Sequence, residues 1–297
     1  MKMEEGKPTI QQQPPKQVRQ IKKTKIRPSQ IALHLALIIG SLVMAGPFIW
    51  MALSSLKSFE QIFAVPPVWI PDPFMWSNIT DSLSAMPFGR AYFNSFYISF
   101  VVVFSQLLTC SMAAYAFAKI KFPGSRFLFV AFLATMMVPM QVTLIPLYII
   151  MDNIGWVNSH LSILVPNALF NAFGVFLLRQ FIMGIPKEME EAAVMDGANP
   201  LYIYWKIILP LVRPALAAFG IFSFIGIWNN FIQPLVFLSD QDLYTVPLLL
   251  ATFKGLYVTN WPLMMAGATI SVIPVLVIYV FAQRQIIEGI ALTGVKG

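Results

Sequence analysis

Seven uncharged polar side chains, Gln141, Thr143, Asn167, Asn171, Asn229, Asn230 and Gln233, lie inside long apolar stretches of this 297-residue chain. A carboxamide both donates and accepts hydrogen bonds, so a group of them matches the hydroxyls of a neutral solute. An aromatic ring such as Trp228 adds a cover for the apolar face of a sugar. Asn167, Asn171, Trp228, Asn229, Asn230 and Gln233 are therefore the candidates for a solute path. The same residue types also serve as links between buried helices. Asn229, close to a proline-containing stretch, could equally satisfy carbonyls that a proline frees.

Covalent chemistry has little to draw on. His34 and His160 are isolated, no paired carboxylates fall within an apolar stretch, and the loops offer no nucleophile with a base. No metal site and no cofactor of this chain's own are expected. A Gly-x-x-x-x-Gly-Lys-Ser/Thr run is absent, so the chain has no recognisable cradle for nucleotide phosphates. The single cysteine, Cys110, excludes an internal disulfide.

The elements that must position these residues follow from composition. Hydrophobic residues make up 58% of the chain and charged residues 11%, and the mean hydropathy of +0.71 is that of a membrane protein. The charge-free intervals are 29–56, 91–118, 127–151, 153–178, 214–239 and 255–283. Each exceeds the roughly 20 residues that a helix needs to cross the hydrocarbon core with its backbone amides paired internally. The expected fold is all-α, a bundle of six spans at about 31–53, 92–118, 127–150, 161–179, 214–238 and 262–282. Residues 1–28 are basic, lack apolar periodicity and are expected to be a disordered cytoplasmic tail. The first apolar run is too long for a cleavable leader and is expected to stay as an anchor.

Lys and Arg are retained on the cytoplasmic side during insertion. With the amino terminus inside, 17 of the 20 basic residues fall on cytoplasmic segments, and only Lys57, Arg90 and Lys254 fall outside. Both termini are therefore expected in the cytoplasm. The net charge of +7 reads as orientation and contact with anionic lipid, not as nucleic-acid binding. The outer segment 54–90 holds "AVPPVWIPDPFMWSN" at 64–78, whose prolines and tryptophans read as an extended stretch near the interface.

The longest cytoplasmic connection, about 180–212, contains "EEAAVMDGANP" at 190–200. Pro186 suits the start of a helix, and Glu188, Glu190 and Glu191 suit its positive end. Gly197 ends that helix in the left-handed conformation, and Asn199 with Pro200 begins a second one through Leu209. Met189, Ala192 and Ala193 recur at i, i+3 and i+4, giving a narrow face of small or adaptable side chains suited to docking. A helix lying in the lipid interface would instead favour bulky apolar and basic residues.

The order Glu191, Ala192, Ala193, three residues, Gly197, nine residues, Ile207, one residue, Leu209, Pro210 resembles the EAA loop of ATP-binding-cassette importer permeases. "WNNFIQPLVFL" at 228–238 and "QRQIIEGIALTGVKG" at 283–297 are similar to the carbohydrate-uptake branch, the maltose-system MalG type. The resemblance covers roughly 29–297. It implies a non-catalytic subunit of a bacterial-type inner membrane, paired with a second homologous permease and two ATPase subunits that hold the ATP and Mg. An extracytoplasmic binding protein would deliver a sugar or oligosaccharide. The ATPase would be met by Met189, Glu190, Glu191, Ala192, Ala193, Asp196, Gly197, Ile207, Leu209 and Pro210, and the second helix of the loop would pass movement to span five. The loop at about 240–258 would reach the binding protein, and the tail from Gln283 would approach the ATPases. Three other readings stand beside this one. An ion-driven carrier would be expected to show intramembrane charge and an internal repeat, and the sequence has neither; an integral-membrane enzyme would need a reactive constellation, which the loops do not supply; and the importer could carry a polyol or another small solute.

Overall fold

The computed structural model describes residues 28–169, 171–254 and 259–294, and these are helical with no strands beyond one isolated bridge, Lys254 to Thr259. Among the described residues four helices or helix pairs are long and apolar enough to cross a membrane: Ser29–Ser54, Phe88–Lys119, Leu161–Met183 and Trp261–Gln283. Two further bent pairs bring the number to six if each is one span. The chain divides into two compact units, residues 1–47, described from residue 28 as the first part of α1 (Pro28–Ser54), and residues 48–297. The expected tail 1–28 lies almost wholly outside the described residues.

The stretch 64–76, within the part expected to be extended, is free of helix, and the segment 54–90 is helical on either side of it. The flanking helices are α2 (Phe59–Ile62) and α3 (Ser77–Ala85). Ser58 and Gln61 form a capping box that starts α2. The Asn78 amide donates to Ser55 O at 3.0 Å and Lys57 O at 2.9 Å, which clamps the preceding turn. Lys57 is fully buried there, its Nζ 3.9 Å from the centre of the Trp50 ring and without a hydrogen-bond acceptor.

Helix α4 (Phe88–Lys119) is the central post, touching α7, α8, α12 and α14. The third expected span, 127–150, is not one rod. α5 (Ser125–Ala134) continues as a short 3-10 turn to Met137, and α6 (Met140–Asn153) leaves at 99°. The residue before a proline is driven out of the helical region, and Val138 before Pro139 is extended, with φ −84° and ψ 115°. The fourth span is α7 (Leu161–Leu169) followed by α8 (Ala172–Met183), with Asn171 capping α8 by accepting from Gly174 N at 2.9 Å.

The connection 184–212 holds α9 (Lys187–Met195), α10 (Pro200–Ile203), a π turn (Tyr204–Ile208) and α11 (Leu209–Leu211). A bend of 78° separates this arm from α12 (Arg213–Trp228). The fifth span stops at Trp228 and resumes as α13 (Ile232–Phe237), so 214–238 is also interrupted. After α14 (Val246–Thr252), α15 (Trp261–Gly294) carries the helix well past residue 282, making most of the expected tail a helical extension.

Three buried clusters hold the second unit together. The largest joins Cys110, Ala114 and Tyr115 of α4 to Leu178 and Ile182 of α8, Ala193 of α9, and Tyr204 and Ile208 of the π turn. Outside them, large apolar side chains such as Phe93, Phe100 and Phe104 are more than half exposed. Such a surface suits hydrocarbon and would be a liability in water.

Candidate coupling elbow and intramembrane amide network

The elbow of 187–211 is built by local rules. Pro186 precedes α9 with an extended ψ of 139°, and Glu188 and Glu190 occupy its first turn, near the positive dipole end. At the other end Gly197 N donates to Val194 O and Ala198 N to Ala193 O, both at 2.9 Å. This pair of bonds is a Schellman termination, which needs a left-handed residue, and Gly197 supplies it with φ +82°. Asn199 Oδ1 then accepts from Tyr202 N at 2.8 Å, and Pro200 opens the second arm.

The second arm is wound wide over Tyr204–Ile208, where Leu209 N donates to Tyr204 O, five residues back. Pro210 gives the cause. A proline offers no N–H, and its ring would crowd the carbonyl four residues earlier in an α turn. A wide turn just before it relieves that crowding.

The candidate docking residues separate into two sets. Glu191, Ala192, Asp196 and Gly197 are exposed, Met189 is 43% exposed, and Met195, which was not singled out, is 86% exposed. Glu190 points inward instead, its Oε1 2.6 Å from Lys119 Nζ, which also donates to Ile185 O at 2.8 Å. Ala193 is 8% exposed and packs into the core. The face expected to hold Met189, Ala192 and Ala193 together is therefore divided, because α9 lies on the bundle through Ala193. Ile207 and Leu209 are half-buried against the same core, and Pro210 is exposed. A notch of about 520 Å3 opens between the arms, walled by Asp196, Gly197, Asn199, Tyr202, Lys206 and Ile207.

The intramembrane amides find each other. Gln106, which the sequence reading passed over, is 3% exposed and is the hub. Its Nε2 donates to Asn167 O at 2.6 Å, and its Oε1 accepts from Asn171 Nδ2 at 3.1 Å and Ser223 Oγ at 2.6 Å. Asn167 Nδ2 donates to Gln233 Oε1 at 2.8 Å, which also accepts from Asn230 Nδ2 at 2.6 Å. The network links α4, α7, α8, α12 and α13 across two helix breaks and gives the Asn167 carbonyl, beside the first break, a partner.

Trp228 is packed in the core. It is 3% exposed, with Phe224 at 5.6 Å and Tyr92 at 5.9 Å between ring centres. Asn229 is exposed at the end of α12, and Gln141 and Thr143 are exposed on α6, with Thr143 Oγ1 bonded to Met140 O. Beside the hub lies a cavity of about 230 Å3, lined by Gln106, Asn167, Asn171 and Ser223 together with Phe173 and Phe222. Its chemistry is neutral hydrogen bonding beside aromatic rings. Among the described residues no group of three or more His, Cys, Asp or Glu could hold a metal.

The loop at 240–258, expected to reach the binding protein, is pinned down in its first half. Asn94 Nδ2 donates to Asp242 O and Tyr244 O, Ser95 Oγ accepts from Val246 N, and Asn158 Oδ1 accepts from Ser239 N and Asp240 N. His160 Nε2 lies 2.9 Å from Leu243 O. Residues 255–258 of that loop lie outside the described residues.

Comparison with known proteins places the chain in a class. Residues 106–291 match the family model of the binding-protein-dependent transport system inner membrane component, and the chain belongs to that family. It is thus a multi-pass integral membrane permease. Among individual proteins, it is similar to the arabinooligosaccharides transport system permease protein AraQ of Halalkalibacterium halodurans, 38% identical over 69% of this chain and 73% of the relative. The AraQ of Bacillus subtilis is 31% identical over 90% and 96%, and the sn-glycerol-3-phosphate permease UgpE of Yersinia enterocolitica 30% identical over 88% and 95%. A solved bacterial transporter for import of the acidic polysaccharide alginate contains a chain similar in fold, with a TM-score of 0.76, 26% identity, and 88% of this chain and 99% of that one covered.

Proposed function

We propose that this chain is a non-catalytic permease subunit that translocates a neutral sugar or oligosaccharide, driven by ATP hydrolysed on partner subunits. The observation that carries the reading is the exposed elbow, with Glu191, Ala192 and Gly197 outward around a notch and the remainder of the arm packed on the bundle. Glu191, Ala192, Met189, Asp196 and Gly197 make the contact with an ATPase, while Glu190, Ala193, Ile207 and Leu209 hold the elbow to the bundle and Pro210 sets its winding. ATP and Mg sit on two ATPase subunits, a second homologous permease completes the pathway, and an extracytoplasmic binding protein delivers the solute.

The cargo reading draws on the arabinooligosaccharide relatives and on the amide-and-phenylalanine cavity, which carries no ionised side chain. Asn167, Asn171 and Gln106 reach the solute only when the bonds among them open, and Asn229 and Asn230 flank the same route. The test is reconstitution with the cognate ATPase, partner permease and binding protein. Uptake of a solute retained by the binding protein should require ATP on the cytoplasmic side; uptake by this chain without the ATPase would sink the reading.

A further inference from the structure

Both arms of the elbow are fastened to the last third of α4. Lys119 holds the first arm through Glu190 and Ile185 O. About 12 Å back along the helix, at 1.5 Å per residue, Ser111 Oγ lies 2.7 Å from the Tyr204 hydroxyl in the second arm, a buried contact. The proton in that contact can be assigned. Ser111 has one hydroxyl hydrogen, and its Oγ already lies 2.5 Å from Leu107 O and 3.1 Å from Leu108 O in its own helix. Those carbonyls can only accept, so Tyr204 donates to Ser111.

Tyr204 is also where the π turn begins, since its carbonyl accepts the Leu209 amide. Such turns recur at functional sites, and relaxing one to an α turn shifts the residues on one side by a position. The direct route from this arm into α12 passes a 78° bend at Val212, so a push along the arm meets α12 nearly broadside. α4, by contrast, packs against α7, α8 and α12 together.

We infer that Tyr204 is a positioning residue for energy coupling: its bond to Ser111 holds the wide turn in register and delivers movement of the elbow to the second span. This rests on the elbow being the ATPase contact. Tyr204→Phe removes one oxygen, leaves the ring against Tyr115 at 5.6 Å and leaves Ser111 its own-helix acceptor. In reconstituted vesicles the variant complex should retain its ATPase, while solute imported per ATP falls about 3- to 10-fold, the scale of one hydrogen bond. Ser111→Ala should give the same loss, and the double variant no further loss, since both remove one link. An unchanged ratio in Tyr204→Phe overturns the inference, as do losses that add in the double variant. Loss of the ATPase from Tyr204→Phe also overturns it, because Tyr204 would then be building the docking surface. A wild-type complex that never retains an ATPase overturns the proposed function itself.

Discussion

At Gly197 nothing lies within 4 Å of where a Cβ would project, yet φ is +82°. Space is therefore no obstacle to a side chain, and backbone strain of about 1–2 kcal/mol is the whole cost. Gly197→Val should leave the protein inserted in the membrane but move the corner, so that uptake falls more than tenfold relative to ATP hydrolysis; parallel assays of phosphate release and solute uptake read both. Lys57 poses a different residue-scale problem. Its burial lowers the pKa from the ordinary 10.5, so the folded chain holds that proton less tightly than the unfolded one. The cost is complete below the folded pKa, and stability rises with pH from there up to about 10.5. An unsatisfied buried donor costs about 1–3 kcal/mol, and the Trp50 ring offsets about 0.5–2. Lys57→Met should then gain about 1 kcal/mol near neutral pH, a rise of about 2–4 °C in thermal midpoint in detergent, and lose the alkaline climb. Sequence spacing showed Gly197 and Asn199 plainly, since their roles are local. It did not distinguish Glu190 from Glu191 or Ala192 from Ala193, because Lys119, which draws Glu190 inward, lies on another helix.

The apolar helices were legible at the level of elements because charge-free length is a local property that a spanning helix requires. Their interruptions were only half legible. Pro139 ends a helix, but Pro146, Pro166 and Pro274 lie inside α6, α7 and α15, so a proline alone does not say where a span bends. The amides were visible as a set but their use was not. Read as solute ligands, Asn167, Asn171 and Gln233 are bonded to Gln106, Asn230 and one another, and Gln106 escaped notice as one polar residue in a long span. Gln106→Leu would leave the Asn167 carbonyl, the Asn171 amide and the Ser223 hydroxyl without this partner. At about 0.5–1.5 kcal/mol each, the loss should be about 2–4 kcal/mol, measured as a lowered unfolding midpoint in detergent. Gln106→Asn should recover little, because the shorter side chain cannot reach all three.

For the whole molecule, orientation in the bilayer is the property on which the elbow's role depends, and the chain supplies its own probe. Cys110 is its single cysteine and is 1% exposed in the core, so a Cys110→Ala background carries no thiol at the modest cost of one small buried group. Val65, in the outer segment, is 94% exposed, and Met195, at the end of α9, is 86% exposed. The Lys and Arg distribution assigns these two positions to opposite sides, Val65 outside and Met195 in the cytoplasm. In intact cells a membrane-impermeant maleimide should label Val65→Cys and spare Met195→Cys, and in inside-out vesicles the pattern should reverse. Labelling of both from one side would reject the arrangement, because an elbow on the outer face could not meet an ATPase fed from the cytoplasm. Adding the ATPase to inside-out vesicles should then protect Met195→Cys alone, which makes the same thiol a reporter of docking as well as of topology.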